Sequence, residues 1–289
     1  MTTENYTSYL EPVYRINRDM MAMIRKGGED MGVGSTEARL LVDAYYAMQK
    51  QSIALNNQFK GVIRDADKAH TTPEPTSGLE WVFGQSKVLE DQVKKILGVY
   101  TETHEMSWFF EQTLGIGPVL AAGLLAHIDI TKAPTAGHIW RFAGLDPTLN
   151  WEKGKKRPYN ATLKTICWKI GDSFVKVSGR DDAFYGKVYR ERKEYEIKRN
   201  EAGELADQAE AKLKKFKIGK TTDAYKAYIE GRLPPAHIDA RARRYAVKFF
   251  LSHLQYRWWE DTYGEAPPKP YAIAILGHAH MIEPLQKKP

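Results

Sequence analysis

At 289 residues, 43% hydrophobic and 11% aromatic, the chain is long enough for one large core or two smaller ones and too apolar to be disordered. No apolar run approaches the roughly 20 residues that a membrane-spanning helix needs. A single cysteine, Cys167, excludes an internal disulfide and every cysteine-cluster metal site. The net charge of +7 comes from 43 basic against 36 acidic residues, so only a local concentration of the excess would point to a polyanionic partner. The first fifteen residues, MTTENYTSYLEPVYR, lack the basic, apolar and small-residue succession of a secretion signal. With the lone thiol, this gives the expectation of a cytoplasmic protein, associated with the nucleoid or encoded by a virus or mobile element.

In chain order the pattern is helix after helix. Ser35-Thr36-Glu37 opens a long amphipathic segment ending near Ala69, with Leu40, Leu41, Ala44, Tyr45 and Met48 at helical spacing. Residues 70–78, HTTPEPTSG, are turn chemistry throughout and read as a linker. A helix follows from about Leu79 to Tyr100, with Trp81, Val82, Leu89, Val93 and Ile96 as its apolar face. Met106 to Leu114 and Val119 to Ile128 read as two helices around a tight turn. A short helix, Thr135 to Phe142, closes at Ala143-Gly144-Leu145-Asp146-Pro147, and residues 148–159 form a polar loop or small β-hairpin turning at Gly154. Asn160 caps a helix running to about Val177.

The second half is more charged. Phe184 to Phe216 reads as a solvated helical pair, broken near Gly203 and projecting from the body, with a length that suits self-association. The last long helix, His237 to Tyr263, carries Tyr245, Phe249, Phe250, Tyr256, Trp258 and Trp259, most of them expected in the core. Prolines after Ala266 then end regular structure, and the tail from Tyr271 reads as an extended strap. The expected fold class is therefore mainly α: a helical protein with an embedded helix-hairpin-helix and a charged helical arm. Its expected parts are an N-terminal helical region (1–103), the hairpin domain (104–180), the arm (181–235), and the aromatic helix with its tail (236–289).

The turn Gly115-Ile116-Gly117-Pro118-Val119 is the most informative stretch. Glycine adopts positive φ and lets the backbone approach a bulky partner. Proline suits the first turn of a helix, where its missing N–H would be unpaired in any case. The amides of Ile116, Gly117 and Val119 would then point outward at a helix N-terminus, a place that suits phosphate. Ordinary helix packing uses the same turn, and Ala121, Ala122, Gly123 and Ala126 serve close approach either way. What favours a polyanion is the basic run that follows: Lys153, Lys155, Lys156, Arg157, Lys164, Lys169 and Lys176. Replacing Gly115 and Gly117 together with alanine is expected to weaken binding without unfolding the protein.

Four elements, GIGPVLAAGLLAHI, APTAGHIWRFAGLDP, GKK and NATLKTICWKI, together resemble the C-terminal domain of transposases of the insertion sequence 110, 116 and 902 group. The resemblance spans about Leu114 to Lys176. It implies a helix-hairpin-helix that grips DNA without reading bases, in transposition or recombination, with branched DNA and structured RNA as partners. It also implies an acidic nuclease-like N-terminal domain and a serine after A-G-L-x-P. Residues 1–100 lack the β-rich runs of such a domain. Thr148 is the sole aliphatic hydroxyl between Thr148 and Lys156. Catalysis by the family route is therefore not expected, and no catalytic residue, metal or cofactor is assigned. An active recombinase with another site, and a structural protein of a mobile element or virus, remain as alternatives.

Other candidates carry less. His278 and His280 could chelate a metal with His237, Asp239 or His253, but a hydrogen-bonded turn is the simpler reading. Arg241, Arg243, Arg244 and Lys248 form either a phosphate-binding or a solvated face. Trp151, amid lysines, either stacks on an unpaired base or anchors its loop to the core, with the anchor favoured.

Overall fold

The computed structural model describes residues 32–72, 76–268 and 284–287, together with Arg15, Arg18, Asp19 and Ala22. Among the described residues ten helices can be bounded and there is no strand. They are α1 (Ser35–Ala69), α2 (Ser77–Glu102), α3 (Ser107–Glu111), α4 (Pro118–His127) and α5 (Ala136–Phe142). The rest are α6 (Ala161–Val177), α7 (Phe184–Glu201), α8 (Ala206–Lys215), α9 (Asp223–Ile229) and α10 (Pro235–Tyr263). The all-helical class read from the sequence is what the structure has. His278 and His280 lie outside the described residues, as does most of the tail. None of the helices is long and apolar enough to cross a membrane.

The chain divides into two compact units, residues 1–107 with 118–127, and residues 108–117 with 128–289. The division crosses the 104–180 segment three times, after Ser107, after Gly117 and after His127.

In the first unit α1 and α2 pack on each other and on α4. Helix α4 is its apolar centre: Val119, Ala121, Ala122, Leu124, Leu125 and Ala126 are all buried. Its alanines let neighbouring backbones come close, which is why so short a helix can pack against two long ones. The face of α2 differs from the expectation. Trp81, Val82 and Leu89 are exposed, Val93 is buried as expected, and the other buried positions include Ser86, Glu90, Leu97 and Thr101. Polar groups can take those places because each has a partner. The Ser86 hydroxyl meets Ser52 at 2.8 Å, Glu90 accepts from Lys87 at 2.7 Å, and Thr101 donates to the Leu97 carbonyl at 2.9 Å.

In the second unit α10 is the axis, with α5, α6 and α7 packed on it. Phe109, Phe174, Tyr185 and Phe250 are fully buried and interlock, with Phe174–Tyr185 and Tyr185–Phe250 ring centres both 5.2 Å apart. Each such ring contributes roughly 1.5–3 kcal/mol over leaving it in water. The Tyr185 hydroxyl meets His253 Nδ1 at 3.0 Å, so this interior polar atom is satisfied. Cys167 is buried on α6, and burial pushes its thiol up to about 12, which keeps it protonated and inert.

Helix α7 does not project into solvent as the charge pattern suggested. Tyr185, Gly186, Tyr189 and Glu196 are buried and the helix lies on α10 and α6. Its charges mislead because one of them, Glu196, is itself interior, held by arginines. The break at Gly203 is where the sequence puts it, with φ +79. Beyond it α8 and α9 pack as a pair around Leu205, Ala209, Leu233, Ile238 and Tyr228.

Candidate nucleic-acid interface

The hairpin turn is built from its own hydrogen bonds outward. The Thr113 hydroxyl donates to the Phe109 carbonyl at 2.7 Å and its N–H to the Phe110 carbonyl at 3.0 Å, ending α3. The Ile116 N–H donates to the Thr113 carbonyl at 3.1 Å and the Ile116 side chain is buried. That amide, expected to face a phosphate, is therefore taken up by the turn. Gly115 sits at φ +98, and its carbonyl accepts from the Ser173 hydroxyl at 2.5 Å. A Cβ there would stand 3.3 Å from Ser173 Oγ and from Val177 Cγ2, and 3.4 Å from Phe174. The turn is thus clamped to the C-terminal half of α6.

Gly117 is different. It is exposed, a Cβ would meet nothing within 4 Å, and among the described residues no backbone carbonyl takes its N–H. Pro118 then opens α4, as its fixed φ favours. The two glycines, expected to tolerate alanine alike, part company on geometry. Gly115→Ala is expected to cost about 1–3 kcal/mol, since it combines positive φ with tight packing. Gly117→Ala should stay within about 0.5 kcal/mol of wild type in urea unfolding. Equal midpoints for the two variants would refute the clamp.

The basic loop belongs to the other end of α6. Gly144, at φ +65, closes α5, and a Cβ on it would lie 2.8 Å from Cγ of Tyr159. Tyr159 therefore rests on a bare backbone, and Lys164 Nζ stands 4.2 Å above its ring. Asn160 joins the two helices: its N–H donates to the Phe142 carbonyl at 2.8 Å and its side chain accepts from the Leu163 N–H at 2.9 Å. Asp146 accepts from both the Thr148 N–H and its hydroxyl, at 2.9 and 2.7 Å. Those two bonds hold its carboxyl below the usual range. The Thr148 hydroxyl thereby serves the turn.

Residues 148–159 form turns and no β-hairpin. Trp151 anchors this loop to itself and not to a core: its indole N–H donates to the Lys155 carbonyl at 2.7 Å, and Arg157 lies 5.5 Å over its ring. Lys153, Lys155, Lys156 and Arg157 are exposed, as is Lys164. Lys155 reaches Glu152 at 2.8 Å across a solvated gap, a weak pair that a phosphate can displace.

Helix α6 sets the distance between these features. Lys164 stands near its start and Ser173 nine residues on, about 14 Å along the axis. The structure thus gathers Arg157, Tyr159, Lys164 and the loop lysines at one end, and places the Gly115 clamp at the other.

The basic face expected on α10 is largely engaged internally. Arg241 binds Glu196, Arg243 binds Asp239 at 2.6 Å and Asp172 at 3.2 Å, and Lys248 lies 4.1 Å over Trp140. Arg244 is exposed. Lys176 pairs with Asp172 at 2.7 Å. Among the described residues no three His, Cys, Asp or Glu side chains converge as a metal would need. His253 is committed to Tyr185, and Asp239 to Tyr189, Lys193 and Arg243.

One exposed side chain at this interface escaped the sequence reading: Trp168 on α6. The buried positions of that helix, Leu163, Ile166, Cys167, Ile170, Gly171 and Phe174, repeat at helical spacing and leave residue 168 off their face, which is the signal that could have found it.

No curated protein and no solved structure matches this chain. A family does match its centre. Residues 109–167, which run from α3 through the clamped turn, the Gly144 closure and the basic loop to Cys167, match the transposase IS116/IS110/IS902 family model.

Proposed function

We propose that this chain binds DNA through its phosphate backbone, tolerant of sequence, in transposition or recombination. The observation that carries the reading is the family match over residues 109–167, joined to a turn whose clamp leaves Gly117 outermost. The amide of Gly117 is the donor for one phosphate, because it is exposed and, among the described residues, no backbone carbonyl takes it. Ile116 contributes the turn's internal bond instead. Lys153, Lys155, Lys156, Arg157 and Lys164 neutralise further phosphates about a helix-length away. The chain acts as a binder and not by the family's serine chemistry, since residues 148–156 contain no serine and Thr148 is tied to Asp146.

Titrating a labelled duplex at several salt concentrations tests this. Affinity should fall linearly on logarithmic axes, each neutralised phosphate contributing about 0.9 to the slope. Replacing Lys153, Lys155 and Lys156 with alanine should flatten the slope by up to about 3. Gly117→Ala should weaken binding with an unchanged melting temperature. A salt-independent affinity, or a Gly117→Ala protein that binds like wild type, would remove the hairpin from the account. Incubation with supercoiled plasmid and magnesium should leave the plasmid intact, and nicking would overturn the non-catalytic part.

A further inference from the structure

Trp168 is 63% exposed in the middle of α6, flanked on that helix by buried Ile166, Cys167 and Ile170. A tryptophan so placed leaves a large apolar ring in water, and the rest of this helix spends its apolar residues on the core. Its surroundings on the helix surface are cationic. Lys164 is one turn before it, about 6 Å along the axis, and Asn160 marks the helix start one turn earlier. Asp172, one turn after, is held by two cations, Lys176 at 2.7 Å and Arg243 at 3.2 Å. Phe142, whose carbonyl takes the Asn160 N–H, is also 43% exposed.

We infer that Trp168 is a stacking platform for an unpaired nucleobase, with Lys164 taking a phosphate of the same strand. The inference deepens the DNA-binding reading above and rests on it. Three features select this occupant. Every base presents a flat π-face to an indole, so stacking is tolerant of sequence, as backbone binding is. The rim is net positive, which complements a polyanion and repels a basic partner. Lys164 is kept in place by Tyr159, which is itself seated on Gly144, so aromatic and cation are spaced by helix and turn and not by chance rotamers. A duplex keeps its bases inside, and only a strand with a displaced, frayed or single-stranded base can use the site. Strand-separated DNA is the partner this surface fits.

The test uses the full chain with a fluorescent oligothymidine and a fluorescent duplex of equal length. Trp168→Ala should weaken oligothymidine binding about 5- to 150-fold, the range that loss of one stacked base implies. Trp168→Phe should recover most of that loss, and duplex affinity should hold in both variants. The salt slope should not change, because no charge has been removed. Oligothymidine should quench tryptophan emission in the wild type, and the quench should shrink in Trp168→Phe. Oligothymidine affinity unchanged in Trp168→Ala overturns the platform while leaving duplex binding standing. Equal losses on both ligands also overturn it, since stacking on an unpaired base cannot act on a duplex. A lower mass by light scattering in Trp168→Ala, with unchanged affinity, assigns the ring to contact between copies instead. A wild type that binds neither ligand removes this inference together with the reading beneath it.

Discussion

Glu196→Ala is expected to destabilise the second unit by about 3–5 kcal/mol, the usual cost of removing one partner from a buried charge cluster. Glu196 is 1% exposed and faces three guanidiniums. Arg241 of α10 donates to it at 2.9 and 3.3 Å, Arg192 donates from one turn before, and Arg199 stands at 3.7 Å. Arg241 also donates to Gln208 of α8 at 2.7 Å, so this one carboxylate fastens α7, α8 and α10. Arg192 lies over the rings of Tyr195 and Tyr245 at 4.9 and 4.4 Å. Without Glu196 these guanidiniums would remain packed together, Arg199 keeping its bond to Glu204 at 2.7 Å while Arg192 and Arg241 lose the carboxylate between them. Glu196→Gln keeps the shape and loses the charge, and should fall between wild type and alanine.

Acid gives the same group an independent check. Burial alone would raise the Glu196 carboxyl, but hydrogen bonds from Arg241 and Arg192 more than offset this and hold it below the ordinary glutamate value. A carboxyl depressed in the folded state contributes stability that is fully present above the unfolded pKa, about 4.3, and is lost as pH falls through the folded one. The stability gap between wild type and Glu196→Gln should therefore be constant near neutrality and narrow below about pH 4. Urea unfolding at neutral and acid pH measures it. A gap that widens in acid would contradict the assignment of the charge.

Gly144→Ala should cost about 2–5 kcal/mol and loosen the basic loop with it. Two terms add. An L-residue at φ +65 costs about 1–2 kcal/mol, and a Cβ placed 2.8 Å from Tyr159 Cγ, 2.9 Å from its Cδ2 and 3.2 Å from Lys164 Cδ overpacks by roughly 1–3 kcal/mol more. The ring cannot yield freely, since Lys164 covers it and Asn160, the next residue, is bonded to Phe142. Moving it shifts Lys164, so duplex affinity should drop in the same variant. Adding Tyr159→Ala to Gly144→Ala should recover the overpacking part and leave the backbone part, a coupling that a double-mutant cycle reads directly. Additive losses would mean that ring and glycine do not bear on each other.

Much of the local structure of the candidate interface was legible in the residues because its signals are local. Gly-x-Gly before proline marks a turn opening a helix, Asn160 marks a cap, and A-G-L-D-P marks a closure, each through the backbone conformations those residues allow. Helix α6 was legible to within a residue for the same reason. What misled was charge read without partners. The segment from Phe184 looks solvated, yet Glu196 is interior and α7 is core. Arg241 and Arg243 look like a phosphate surface, yet they are spent on Glu196, Asp239 and Asp172. In α2 the first half of the inward face was misplaced, with Ser86 and Glu90 buried where hydropathy favours Trp81 and Leu89, while Val93 is buried as read.

The amino-acid order alone determined the all-helical class, the main helices, the turn at Gly115–Gly117 and the resemblance of the chain's central part to a transposase family. The first three follow from dihedral preference and short-range periodicity, which need no distant partner, and the resemblance rests on four motifs occurring in order. The tertiary structure decided which of the two turn glycines is clamped, which arginines are neutralised and which ring rests on a bare backbone. Each depends on atoms brought together from separate elements: Ser173 against Gly115, Glu196 against Arg241, Tyr159 against Gly144. Spacing along a chain cannot encode such meetings, because they are made by packing.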